Sequence, residues 1–372
     1  ECILKSSKLS PGRSDELFPN IRNSSANYDY LNSRIRTKAS SLLKENEYAS
    51  LACGNLRDVE RFLLETPPFA ESFQKSLVMS QDSSLKRIET VVAETETSRL
   101  IQLRLLAEGE AERLISTYLS RADLINGRLV LRSVHAGKNG IPEPYWHTYG
   151  SVSASFFSDL WKTSSSVSDC IEYCRSESSS VSSMLVAAFS ELGRTNDLLQ
   201  AERVLLLAFL HTVECRLGDR KSDNTGAVEQ IAGMMIDVWN LAVWLRRNIL
   251  KVNTSAAYLD TPYSTIEHSR LRRASSLKRL LAGTPWITML RGKFDSPEIV
   301  YRKLHTSLLE WQISLYRRDL LGIHVALGYA AKVLVEWNNL NIIAIGVAFG
   351  MNCSEILARL TEHDTSGRIF RP

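Results

Sequence analysis

Glycine and proline are scarce, 18 and 10 of 372 residues, and long stretches hold neither. Sandwiches and barrels of many short strands need both residues at their turns, so their scarcity predicts an all-α protein. Charge of one sign is also lacking: 45 basic residues stand against 41 acidic ones, a formal net charge of +4. A nucleic-acid partner, which needs basic residues concentrated on one surface, is not expected. The most apolar stretch, Leu320 to Ala348, is interrupted by His324, Lys332, Glu336 and several Asn. It falls short of the roughly 18 uninterrupted apolar residues of a spanning helix. The first 27 residues are polar, read as a loose tail, and show no apolar region of a cleavable signal. The six cysteines, at 2, 53, 170, 174, 215 and 353, make no dense framework, which predicts a reducing compartment.

Signatures of chemistry are missing too. The seven histidines are dispersed, with no H-E-x-x-H and no G-x-S-x-G nucleophile context. Gly137-Lys138-Asn139 lacks the first glycine and the Ser/Thr that a phosphate loop requires, so it reads as a turn and no direct nucleotide binding is expected. Cys170/Cys174 and His211/Cys215 each stand at i, i+4 and could in principle offer zinc four ligands. That zinc-dependent helical enzyme is the alternative reading, although thiols in an apolar stripe more often pack a core. Arg272-Arg273-Ala274-Ser275 has the form of a basic-directed kinase site, yet such runs are common at helix starts. Trp239 and Trp244 have the spacing of helix packing. No cofactor is implied.

What the chain does have is one pattern written three times: Asp123-x-x-Asn126 with Arg132, Asp237-x-x-Asn240 with Arg246, and Glu336-x-x-Asn339. The copies begin 114 and then 99 residues apart, between 123 and 237 and between 237 and 336. That period is too long for a solenoid and suits tandem small domains. On a helix, positions i, i+3 and i+7 share a face, so each acid and Asn align with an apolar residue, Val130, Trp244 or Ile343. Polar residues in a packed stripe need partners, and a structural polar network is the expected role.

An echo supports the repeat. Asn55 is expected to cap a short helix bearing Val59, Phe62 and Leu63, stopped by Thr66-Pro67-Pro68; Leu277, Leu280, Leu281 and Thr284-Pro285 restate it 218 residues later. Val167 to Arg175 is a weaker version in a Ser-rich stretch of capped short helices. Long helices are expected over Leu85–Tyr118, Met184–Cys215 and Pro297–Tyr316. Gly137 to Pro142 and Asn253 to Ser264 read as linkers, which gives helical repeats over 28–145, 146–260 and 261–372.

These segments resemble the C-type stalk protein of prokaryotic V-type or A-type ATPases and ATP synthases, the counterpart of the eukaryotic d-type protein. Tyr28 to Arg36 with its Arg34-x-Arg36, then Leu42-Leu43 and Tyr48, is similar to the family's opening helix. Leu56 to Thr66 matches its short helix, and Asp319 to Gly350 its closing repeat, with Ile323, Tyr329, Lys332, Glu336, Asn339-Leu340, Gly346 and Gly350. The resemblance implies three homologous bundles forming a funnel on the cytoplasmic side of the membrane. There the protein receives the central shaft and sits peripherally on the membrane rotor ring, without chemistry of its own. Where the closing helix of the family usually carries basic residues, this chain has Asn341, Ile345 and Val347. A helical scaffold of another assembly is a third reading.

Overall fold

The computed structural model describes residues 28–79, 83–137, 143–218, 222–252, 257–290 and 294–361. The expected tail (1–27) and parts of both expected linkers lie outside the described residues. Within them the fold is all-α, with eighteen α-helices and no strand.

The first helices are α1 (Tyr28–Ala39), α2 (Glu45–Ala52), α3 (Leu56–Glu65) and α4 (Pro67–Met79). Asn55 starts α3 as expected: its Oδ1 accepts from the N–H groups of Arg57 and Asp58 at 2.9 and 3.2 Å. Asp58 answers by accepting from the Asn55 N–H at 3.0 Å, so donors with no partner inside the helix are satisfied reciprocally. Thr66-Pro67-Pro68 both ends α3 and opens α4, because proline at a first helical position loses no hydrogen bond.

Next come α5 (Ser84–Leu105), α6 (Glu110–Leu119) and α7 (Arg121–His135). One helix was expected over Leu85–Tyr118. It is two, because Gly109 adopts a φ of 59° that breaks the run and begins α6. The middle of the chain forms α8 (Ala154–Thr163), α9 (Val167–Ser176), α10 (Ser180–Thr195), α11 (Leu198–Leu217) and α12 (Asp223–Asn248). Ser166 and Ser179 cap α9 and α10 by accepting the N–H groups of Asp169 and Ser182. The helix expected over Met184–Cys215 also breaks, at Asn196, whose φ is 52°. Asp197 then caps α11 through the N–H groups of Leu199 and Gln200. The last helices are α13 (His268–Arg273), α14 (Leu277–Leu281), α15 (Trp286–Met289), α16 (Pro297–Ser314), α17 (His324–Ala348) and α18 (Cys353–Leu357), with a 3-10 turn at Leu315–Arg317 between α16 and α17.

The three helices that carry the repeated pattern are α7, α12 and α17. Helix α7 packs on α11, and α12 packs on α16, in each case a long helix from the following stretch of chain. Among the described residues no such stretch follows α17, and it packs instead on α5 and on α1 and α2 near the start of the sequence. Asn32 of α1 donates to the Gly322 carbonyl at 3.1 Å, and Cys53, just after α2, is disulfide-bonded to Cys353 of α18 across 300 residues. The scattered spacing of the cysteines did not anticipate this pairing. Spacing along the chain is blind to two thiols that tertiary closure brings together. Cys170, Cys174 and Cys215 take part in no disulfide. A core spanning nearly all the helices includes Val130, Trp244 and Ile343, each at most 1% exposed.

Candidate functional site

The asparagines of the repeated pattern make the same bonds three times. Asn126 donates through Nδ2 to the His147 carbonyl and accepts through Oδ1 from the His147 N–H, both at 2.9 Å. Asn240 treats Leu259 in the same way at 2.9 and 2.7 Å, and Asn339 treats Thr361 so at 2.8 and 2.9 Å. All three Asn are at most 1% exposed. A carboxamide has one donor face and one acceptor face side by side, so it can replace a neighbouring peptide and hold a passing strand of backbone. That explains Asn at this position, where Asp or Leu could do half the task or none.

The acids three residues earlier hold the backbone further along the same loops. Asp123 accepts from the Ser151 N–H at 2.9 Å and its Oγ at 2.5 Å. The loop comes so close that a side chain at Gly150 would collide with the carboxylate. Asp237 accepts from Ser264 Oγ at 2.7 Å, the Thr265 N–H at 3.1 Å, Thr265 Oγ1 and Trp286 Nε1 at 2.8 Å. Burial raises the carboxyls of Asp123 and Asp237 above their ordinary range, and the hydrogen bonds from Ser151 and Thr265 pull them back.

In the third copy the acid's backbone partner comes from the start of the chain. Glu336 accepts from the Leu43 N–H at 2.6 Å and from Arg99 of α5. Arg99 also binds Glu96 at 2.8 Å and the Ser41 carbonyl at 3.3 Å. Glu96 and Glu336 are wholly buried and share this one guanidinium. Burial first, and then the neighbouring Glu336, push the Glu96 carboxyl well above its ordinary range. Sequence reasoning missed Glu96 and Arg99, which follow no repeat. Beside Glu336, Trp337 packs on Tyr145, His147 and Tyr149 with ring centroids 5.9, 4.8 and 6.1 Å apart.

The arginines of the pattern serve a different place. Arg132 and Arg246 line a cavity of about 610 Å³ between α7, α11, α12 and α16. Arg132 forms a two-bond pair with Glu202 of α11, at 2.6 and 3.2 Å. The third copy has Ile345 where an arginine would stand, and that residue is exposed. Gly346 lets α17 approach α18, since a Cβ there would lie 2.8 Å from Ile356 Cγ1. Arg121, Arg128 and His305 line the cavity as well and were not anticipated. The signal was available: Arg121, Arg128 and Arg132 fall at i, i+7 and i+11, one helix face.

The four candidate zinc ligands do not converge. Cys170 and Cys174 lie in the core, and burial pushes the Cys174 thiol up to about 12, whereas Cys215 is exposed and stands 3.7 Å from Nε2 of exposed His211. Among the described residues no three His, Cys, Asp or Glu side chains stand together as a metal site, and no helix is long and apolar enough to cross a membrane. Trp244 is core; Trp239 lines the cavity and donates to the Ala257 carbonyl at 3.1 Å.

No individual curated protein matches the chain. A profile of the family described as ATP synthase (C/AC39) subunit matches residues 31–359, nearly the whole length and every described helix that carries the repeated pattern. That family is a structural, non-catalytic component of V/A-type rotary ATPases and associates with their other subunits. The chain belongs to the ATP synthase (C/AC39) subunit family.

Proposed function

We propose that this chain is the central-stalk coupler of a rotary ATPase or ATP synthase, joining the rotating shaft to the membrane rotor ring from the cytoplasmic side so that ion transport follows ATP turnover. The observation that carries the reading is the cavity between α7, α11, α12 and α16. Each of the three proposed repeats, 28–145, 146–260 and 261–372, contributes to its wall, as a funnel gripping one central object requires. The Asp-x-x-Asn and Glu-x-x-Asn clamps are the structural motif of those repeats: they stiffen the bundles by tying each following loop to its motif helix. Torque transmission needs close-packed helices that resist shear, and a continuous core supplies them. Exposed apolar residues are also present for the ring: Leu320 and Leu321, between α16 and α17, and Tyr30 of α1, the helix whose Asn32 donates to the Leu320 carbonyl at 3.3 Å.

The test is reconstitution of the rotary complex with and without the chain. Loss of ATP-driven ion transport while the soluble head still hydrolyses ATP is the expected result. Undiminished transport in its absence sinks the coupling role.

A further inference from the structure

The cavity holds more positive charge than the chain itself neutralises. Of its four guanidinium groups, Arg132 is held by Glu202, and Arg121 donates to Tyr118 Oη and Gln312 Oε1, both at 3.0 Å. Arg128 differs. Among the described residues its side chain makes no hydrogen bond, its Nε is buried without a partner, and the carboxylate acting on it, Glu202, is already taken by Arg132. Arg246, the repeat arginine of α12, likewise has no ion pair or side-chain hydrogen bond among the described residues. Among the described residues of the lining the one other carboxylate is Glu298, which is exposed near the start of α16. His305 adds no charge, because burial and the charges of Arg128, Arg121 and Arg132 push its imidazole down to about 3. The rest of the wall is mainly apolar, with Leu124, Leu206 and Val243 among it.

Resting on the shaft reading above, we propose that this cavity is a carboxylate receptor: it takes the acidic tip of a partner helix, whose Asp or Glu side chains pair with Arg128 and Arg246. A neutral tip would strip water from two guanidiniums and return nothing, whereas a carboxylate forms a charge-assisted, two-pronged bond with each. Size agrees. One helical turn, about 5.4 Å high and 10–12 Å across, fills roughly 400–600 Å³, close to the volume of the cavity, about 610 Å³. The apolar wall then receives the flanks of that turn, and the charge requirement rejects shafts of the wrong composition.

The test measures binding of the full chain to the purified shaft subunits of its rotary complex at low and physiological salt. Arg128→Met and Arg246→Met are each expected to weaken binding tenfold or more and to flatten its salt dependence. Arg61→Met, which removes an exposed pair with Asp58, should change neither. The reciprocal experiment replaces acidic residues at the docking end of the shaft by their amides. It should cost a similar factor, and the loss should not add to that of the arginine variants, which keeps the test valid if either variant folds poorly. Parent chain that binds the shaft while all these variants bind equally well overturns the carboxylate pairing and leaves the docking reading intact. Parent chain that does not bind the shaft brings down both. Inorganic tripolyphosphate binding that vanishes in both arginine variants, with shaft affinity unchanged, reassigns the cavity to a small anion and overturns the proposal.

Discussion

A single carboxamide that closes two backbone hydrogen bonds is the smallest unit of this protein's order. Replacing Asn240 by Leu orphans the N–H and the carbonyl of Leu259 in a buried place, at about 1–3 kcal/mol for each unsatisfied group. Denaturant titration should therefore show a clear loss of stability, while Asn240→Asp, which keeps the acceptor, should lose less; equal stability in all three proteins would contradict the clamp. Glu96 titrates in the opposite sense to most carboxyls. Burial and Glu336 raise its carboxyl in the folded form, so its contribution is fully present below the ordinary glutamate value of about 4.5 and fades as pH rises. Glu96→Gln, a permanent mimic of the protonated acid, is expected to gain stability relative to the parent as pH rises above about 4.5. A difference that stays flat from pH 4 upward would contradict a raised Glu96 carboxyl. Two histidines pull the other way. Burial holds His147 down to about 4 and His305 down to about 3. The unfolded chain thus takes up protons that the folded one refuses, and stability should fall as pH drops below about 6.5. His305→Gln should blunt that acid sensitivity in melting curves recorded from pH 7 to pH 4.5.

Helices record how much of this molecule a linear reading can recover. The cap at Asn55, the serine caps of α9 and α10 and the buried faces of α7, α12 and α17 were legible because each is settled by residues within one or two turns. The breaks at Gly109 and Asn196 were not, since periodicity continues through both and only the backbone angle reveals the interruption. Partners were less legible than positions. The pattern marked Asn126, Asn240 and Asn339 as residues needing partners, but the loops they hold lie 21, 19 and 22 residues on and bond only through backbone, which leaves no trace in side-chain identity. Cys53 and Cys353 were unreadable for a related reason. Their meeting depends on α2 and α18 both packing near α17. By the loop-closure argument a bridge across 300 residues restricts the unfolded chain by up to about 5 kcal/mol. Cys53→Ser should lower the midpoint of chemical unfolding, and reductant should do the same to the parent and nothing to the variant.

On the scale of the whole molecule, a chain that runs in one direction has produced an arrangement whose first and last helices depend on one another. The first and second copies of the pattern bind loops from the stretch ahead of them, and the third finds both Leu43 and Arg99 near the start of the sequence. Asn32, reaching Gly322, and the Cys53–Cys353 bridge fasten the same seam. A row of repeats has two terminal units, each covered on one side only, from which unravelling begins. Here the seam behaves like the clasp of a bracelet. Deleting the segment around α1 and α2 should weaken the last helices of the protein more than its neighbours in sequence, a redistribution that hydrogen exchange would map directly. In the proposed rotor role, a twisting load would meet the first and last described helices as one fastened unit, where two separate ends could each be peeled away.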